Sequence, residues 1–243
     1  MKHIRKEQEP IEFSEWKKQD KMFRRGKPNW NRLNADIKNN IRTSLLREQG
    51  YICCYCEREL SDNDHHIEQL KPKSKNKFPE LQLDYTNLLC SCQLELENGE
   101  PRHCGNSKGG WFDENLLISP LDPDCEAQFV YNADGHVEPS DDNNVAAKTA
   151  INRLQLDIDK LADMRKNAIE PFIIDPITFE EISADEAREF AENYLKEKEE
   201  NDGSYNEFYT TTPYHFYIQF IFYLHFIHQC FYSSKIEVEQ RAN

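Results

Sequence analysis

The chain lacks several features that would assign it at once. Its first ten residues, MKHIRKEQEP, contain no apolar stretch of the kind a secretory signal needs, which predicts a cytoplasmic protein. No internal repeat and no low-complexity tract is present, so solenoids and disordered arrays are excluded. Hydrophobic residues make up only 38% of the 243 while charged residues make up 30%, the balance of a soluble globular protein with exposed helices. That length suits one elaborated domain or two small ones and suffices to bury a core without disulfide staples. One run approaches membrane length, PYHFYIQFIFYLHFIHQCFY at 213–232, but it contains His215, His225, His228, Gln219 and Gln229. Those side chains are costly in lipid, so a buried or partner-facing helix is expected and no membrane span.

An excess of positive charge is also missing. The net charge of −14 argues against a nucleic-acid partner until its distribution is considered. Residues 1–80 carry 18 Lys+Arg against 13 Asp+Glu, whereas residues 81–243 carry 12 against 31. The basic part includes KPKSKNK at 71–77, with Lys71, Lys73, Lys75 and Lys77 at every second position. In an extended segment these would share one face and could contact phosphates; an isolated charge run is otherwise a solvated loop. The acidic part is free to face solvent or a protein partner.

The eight cysteines are unevenly placed. Cys53, Cys54 and Cys56 form one cluster, Cys90 and Cys92 another, and Cys104 follows; Cys125 and Cys230 stand apart as ordinary buried thiols. Cys53-x-x-Cys56 is half of a zinc site, because thiolates three residues apart can turn back onto one ion. The second half lies among Cys90, Cys92, His103 and Cys104. Such a site is closed and structural, and free buried thiols are the plainer alternative.

Periodicity places elements around this cluster. Residues 1–30 read as a polar, irregular arm with Trp16, Phe23 and Trp30 as anchors. Ile37, Ile41, Leu45 and Leu46 predict a helix over 35–49 that Gly50 stops. A strand is expected over 64–70, a second strand or loop over 83–90, and a hairpin over 127–138 around Ala-Asp-Gly. Helices are expected over 143–169, with a break near Leu156, and over 183–200 behind the Ser183/Glu186 capping pattern. On a strand at 64–70, His66 and Glu68 share one side, with His65 and Gln69 on the other. A carboxylate with an amide oxygen suits a hard dication such as magnesium, and a nearby imidazole could deprotonate water. Equally, these polar residues could merely line a zinc module.

The ordered segments CCYCE, HIEQLKPKSK, DYTNLLCSC, HCGNSKGG and LISPLDPDCEAQFVY resemble the HNH endonuclease family. More narrowly they are similar to its PtuB-type members, the HNH partners in Septu and retron-linked anti-phage systems. NRLQLDIDKLADMRK is similar to that group as well, and the resemblance covers about residues 1–170. It implies an α+β, mainly helical protein: an N-terminal arm at 1–34, a ββα-metal module with structural zinc at 35–125, and a hairpin with a helical region at 126–243. It implies nucleic-acid cleavage with magnesium or another divalent ion, with DNA or tRNA as substrate. It also implies a PtuA-like ABC-type ATPase partner, and possible association with a retron reverse transcriptase and its RNA–DNA product.

Carried over by position, Cys53 and Cys56 match the first zinc pair and Cys92 and Cys104 the second, with Cys90 an alternative to Cys92. Glu68 stands at the acidic metal ligand, and Asn87 at the asparagine that orients base and loop. Asn106, or Gly105 in the adjacent register, stands at the last metal-binding position, and Lys108 at the lysine that follows. Lys71, Lys73, Lys75 and Lys108 are then the nucleic-acid contacts. Family members read I-E-H where this chain reads I-E-Q, so Gln69 occupies the general-base position. Glutamine cannot accept a proton near neutral pH. The chain is therefore expected to be an inactivated nuclease, one that uses His66 or His65 as its base, or a non-catalytic zinc-stabilised adaptor.

Overall fold

The computed structural model describes residues 1–23, 27–60, 64–74, 77–96, 98–170, 189 and 201–211. The expected helices at 183–200 and 213–232 lie outside these residues, apart from Glu189.

The N-terminal segment is more ordered than an irregular arm. Pro10 precedes helix α1 (Ile11–Phe23), where Glu9 accepts from Ser14 Oγ and Lys17 Nζ at 2.5 Å each. Its apolar face is thin, with Phe13 buried and Asp20 paired to Arg32 at 3.2 Å, so periodicity alone gave little sign of it. Helix α2 (Ala35–Glu48) starts at Asn34, whose side chain accepts from Ile37 N, and buries Ile41, Leu45 and Leu46. Gly50 ends it at φ +59°, where a Cβ would lie 2.5 Å from the Tyr205 ring. Only glycine is unstrained there.

After α2 the chain folds back in a tight turn, with Ile52 bridged to Glu59 and Glu57 at φ +64°. Strand β1 (His65–Gln69) then pairs antiparallel with β2 (Leu88–Cys92), His65 opposite Cys92 and Gln69 opposite Leu88. The expected strand or loop over 83–90 divides physically: a 3-10 turn runs to Asn87, held by Asp84 accepting from Thr86 N, and the strand begins at Leu88. Gln49 fastens α2 to β2, donating to Ile52 O and Cys90 O and accepting from Cys90 N at 2.7 Å. Helix α3 (Cys104–Lys108) packs across the hairpin.

Beyond the proline-containing loop, β3 (Phe129–Tyr131) pairs with β4 (Val137–Pro139). The break expected near Leu156 separates α4 (Val145–Leu154) from α5 (Asp159–Ile169), with Gln155 left-handed at φ +51°. Arg165 of α5 is buried and donates to Gly135 O and Leu156 O, which binds the hairpin turn to the helix. Residues 1–6 thread between these parts. Ile4 N donates to Pro120 O, and Lys6 pairs with Glu48 at 2.5 Å beside the Tyr85 hydroxyl on the same carboxylate. Residues 201–211 close over the tight turn, with Phe208 N on Glu57 O and Thr210 N on the Glu57 carboxylate. Among the described residues, no helix is long and apolar enough to cross a membrane.

Candidate metal centre and active site

Two sites share the β1–β2–α3 unit. The first is a cluster of the Cys53, Cys56, Cys92 and Cys104 sulfurs, all within 4.8 Å of one another and all buried. Cys56 and Cys92 are 3.8 Å apart, close to the roughly 3.8 Å edge of a tetrahedron with about 2.3 Å zinc–sulfur bonds. Three segments supply the thiols: the 53–56 turn, the end of β2 and the start of α3. Backbone geometry aims them inward. Cys104 sits at φ +53°, Cys92 N points at Cys53 Sγ at 3.4 Å, and Gln93 at φ +64° turns the chain out of β2. Cys90 points elsewhere, its sulfur 4.0 Å from Arg42 O on α2. His103 is buried, with Nδ1 3.2 Å from Cys104 Sγ and 3.6 Å from Cys92 Sγ, a position to donate to sulfur beside a complete four-thiol set.

The electrostatics suit a cation. Burial pushes the Cys53 thiol up, but hydrogen bonds from Cys104, Cys54, Cys56 and Cys92 outweigh it and hold it well below the usual thiol range. Burial likewise opposes ionisation of Cys56, yet contacts with Cys104 and Cys92 bring it down to about 6. Cys104 is held well above the usual range by burial and then by its bonds to Cys53 and Cys56. Charge thus collects on the first pair of thiols, and a soft dication such as zinc would allow all four to ionise.

The second site lies on β1. His66 and Glu68 do share a face, with His66 Nε2 3.6 Å from Glu68 Oε2. Glu68 Oε1 is taken by the Lys108 ammonium at 2.7 Å and faces the Tyr55 hydroxyl at 3.4 Å. Lys108, expected on the nucleic-acid face, is instead fully buried, with further contacts to Gln69 O and Gly109 O. A buried ammonium needs an anionic partner, and Glu68 supplies it. Asn87 is buried and its amide is fully engaged: Oδ1 accepts from Lys71 N, and Nδ2 donates to Lys71 O and Leu81 O. It holds the loop after β1. The Asn106 amide nitrogen donates to Gln93 O at 2.5 Å. The α3 residue facing Glu68 is Gly105, where a Cβ would lie 2.8 Å from both Glu68 Oε2 and His66 Nε2 and 3.0 Å from Ser91 Oγ. That contact is between strand and helix and is invisible in the linear order.

Gln69 lines an open cavity of about 370 Å³ with Trp30, Ile67, Glu68, Pro72, Lys73, Ser74 and Gly109. Its amide donates to Gln82 O at 3.0 Å. His65 is buried, away from the solvent that a general base must reach. The lysines do not form one row. Lys73 lies 5.0 Å over the Trp30 ring, and Lys71 sits against Phe78 and Phe112 with Glu114 at 3.9 Å. Lys77 donates to Gly110 O at 2.6 Å, and Lys75 lies outside the described residues. Lys71, Lys73 and Lys77 meet different partners, so alternation in sequence does not become a shared face among the described residues. Trp30, marked only as an arm anchor, becomes a wall of the cavity, with its backbone N–H donating to Gln82 Oε1. No sequence signal linked it to residue 69.

A two-stranded hairpin is crossed by a short helix, carries four thiols that could hold a metal ion, and bears an acid–imidazole pair. No family model matches the chain. It is 34% identical over 142 residues, 56% of this chain and 67% of the relative, to a protein of Vibrio cholerae serotype O1 biovar El Tor named provisionally as the HNH endonuclease of retron Vc95. The chain belongs to the family of retron-associated HNH endonucleases.

Proposed function

We propose that this protein is an HNH endonuclease subunit of a retron-type anti-phage complex, hydrolysing phosphodiester bonds of nucleic acid, and that Gln69 impairs it. The observation that carries this reading is Glu68: a carboxylate held by Lys108 on a thiol-clasped hairpin, at the wall of an open cavity. The relative's name supports the nuclease class and the retron setting.

In this reading Cys53, Cys56, Cys92 and Cys104 hold zinc and β1–β2–α3 is the HNH module. Glu68 is a ligand of a divalent ion, magnesium or another, which when bound stabilises charge on the phosphate and leaving oxygen. Lys108 fixes the carboxylate through Oε1. Asn87 fixes the loop after β1, and Gln82 O orients the side chain at 69. A histidine at 69 could donate Nδ1–H to that carbonyl and leave Nε2 to accept a proton from water. Glutamine keeps the hydrogen bond and loses the base. Lys73, with Lys71 and Lys75 in the same loop, supplies positive charge for the phosphate backbone. A PtuA-like ATPase partner rests on the sequence resemblance, and the retron reverse transcriptase with its RNA–DNA product on that resemblance and the relative's retron setting.

Gln69 itself favours a second reading, a zinc-stabilised adaptor without chemistry. Assaying DNA and RNA substrates with the protein as given and with Gln69→His decides between them. The nuclease reading expects cleavage to appear or rise steeply with histidine. No cleavage by either protein in the presence of divalent ions would leave the adaptor.

A further inference from the structure

We propose that His66 Nε2 and Glu68 Oε2 together chelate the divalent ion, and that the pair selects a first-row transition dication over magnesium. The inference rests on the nuclease reading only for the ion's use; its geometry stands separately. The two oxygens of Glu68 face different partners. Oε1 is committed to the Lys108 ammonium at 2.7 Å, while Oε2 faces the imidazole at 3.6 Å, too long for a hydrogen bond. Two adjacent ligands of a six-coordinate ion with bonds of about 2.1 Å lie roughly 3.0 Å apart. Chelation requires the two atoms to approach by about 0.6 Å.

Of the other expected donors, Asn87 has both amide atoms on the Lys71 and Leu81 backbone, and the Asn106 amide nitrogen donates to Gln93 O. Gly105 is the α3 residue opposite Glu68, and any side chain there would collide with both chelating atoms. Its lack of a Cβ brings the helix close enough that an imidazole from β1 occupies the space a helix-borne ligand would need. His66 remains 22% exposed at its side chain, so an ion can reach it. The donor set is then one imidazole nitrogen, one carboxylate oxygen already half-neutralised by Lys108, and water. Imidazole suits iron and nickel, magnesium prefers oxygen alone, and manganese, the lowest of the first-row series, stands between them.

The test uses zinc-replete full-length protein without substrate and manganese as the probe, because manganese competes poorly for thiolates. Binding is read by electron paramagnetic resonance, and paramagnetic broadening of the His66 ring signals is read by NMR. The expected result is saturable manganese binding that broadens His66 and weakens by roughly tenfold or more in His66→Ala, since outer-shell partners alone cost 10–100-fold. His66→Asn, with zinc content and circular dichroism checked, guards against a folding defect. Magnesium should compete only at large excess. Unchanged manganese affinity in both His66 variants, or loss in Asn106→Ala but not in His66→Ala, overturns the chelate. Because binding is read without turnover, a Gln69→His protein that binds manganese but cleaves nothing sinks the nuclease reading and leaves the chelate standing.

Discussion

Residue 69 and its neighbours show how little separates an active from an inactive site. A positioned general base contributes about 10²–10⁴-fold, so Gln69→His should raise cleavage within that range. Glu68→Ala in the same background should remove it again. Should His66 serve as the base instead, the protein as given would cleave well and His66→Ala would not; initial rates of the three proteins discriminate. Lys108 gives a stability prediction at the same scale. Its side chain is fully buried against Glu68, and removing one partner of a buried ion pair costs about 3–5 kcal/mol. Lys108→Met should therefore lower the urea midpoint markedly with little change in slope, whereas a surface phosphate contact would leave stability intact. Lysine at 108 was legible as a motif position through the family resemblance, but its burial was not, because a motif gives spacing and not depth.

At the scale of elements, the chain after β1 places Lys71, Lys73 and Lys77 in different environments. Lys73 is exposed over Trp30 beside Gln69, while Lys71 rests on two aromatic rings and Lys77 is tied to a carbonyl. Lys73→Ala should weaken nucleic-acid binding and reduce the salt slope by roughly one counterion. Lys77→Ala should change the slope less, and equal effects would mean the loop re-forms on the substrate. The thiols give a second prediction. Burial pushes Cys90 and Cys125 up to about 12, so neither carries appreciable thiolate at neutral pH. In the folded protein both should resist iodoacetamide at pH 7.5, and labelling should rise only as pH approaches 12 or the chain unfolds; peptide mass spectrometry reads this directly. Rapid labelling of Cys90 at neutral pH would contradict its placement against α2.

For the molecule as a whole, the four-thiol cluster joins parts far apart in the chain. Its ligands come from three segments, and Glu57, beside Cys56, anchors residues 201–211 through Thr210 and Phe208. Metal binding energy is therefore folding energy for more than one hairpin. About one zinc per chain is expected, with loss of the cooperative thermal transition on strong chelation or in Cys56→Ala. Because the thiolates must shed protons to bind, metal should be released as pH falls, and zinc retained unchanged at pH 4 would sink the assignment.

The sequence by itself determined the spacing of the cysteines, the helix over 35–49, the strand over 64–70, the hairpin over 127–138, the break before α5 and the departure at Gln69. Each is set by local periodicity, turn chemistry or residue identity, which a linear string contains. Only the tertiary structure decided that Cys92 rather than Cys90 completes the thiol set, because the chain swings out of β2 at Gln93. It alone showed that Gly105 faces Glu68, that Asn87 and the Asn106 amide nitrogen bond to backbone, and that Lys108 is internal. The physical reason is common to all of these. Which side chain meets which depends on how a five-residue helix lies across a five-residue hairpin, and elements that short have no periodicity from which to read their facing.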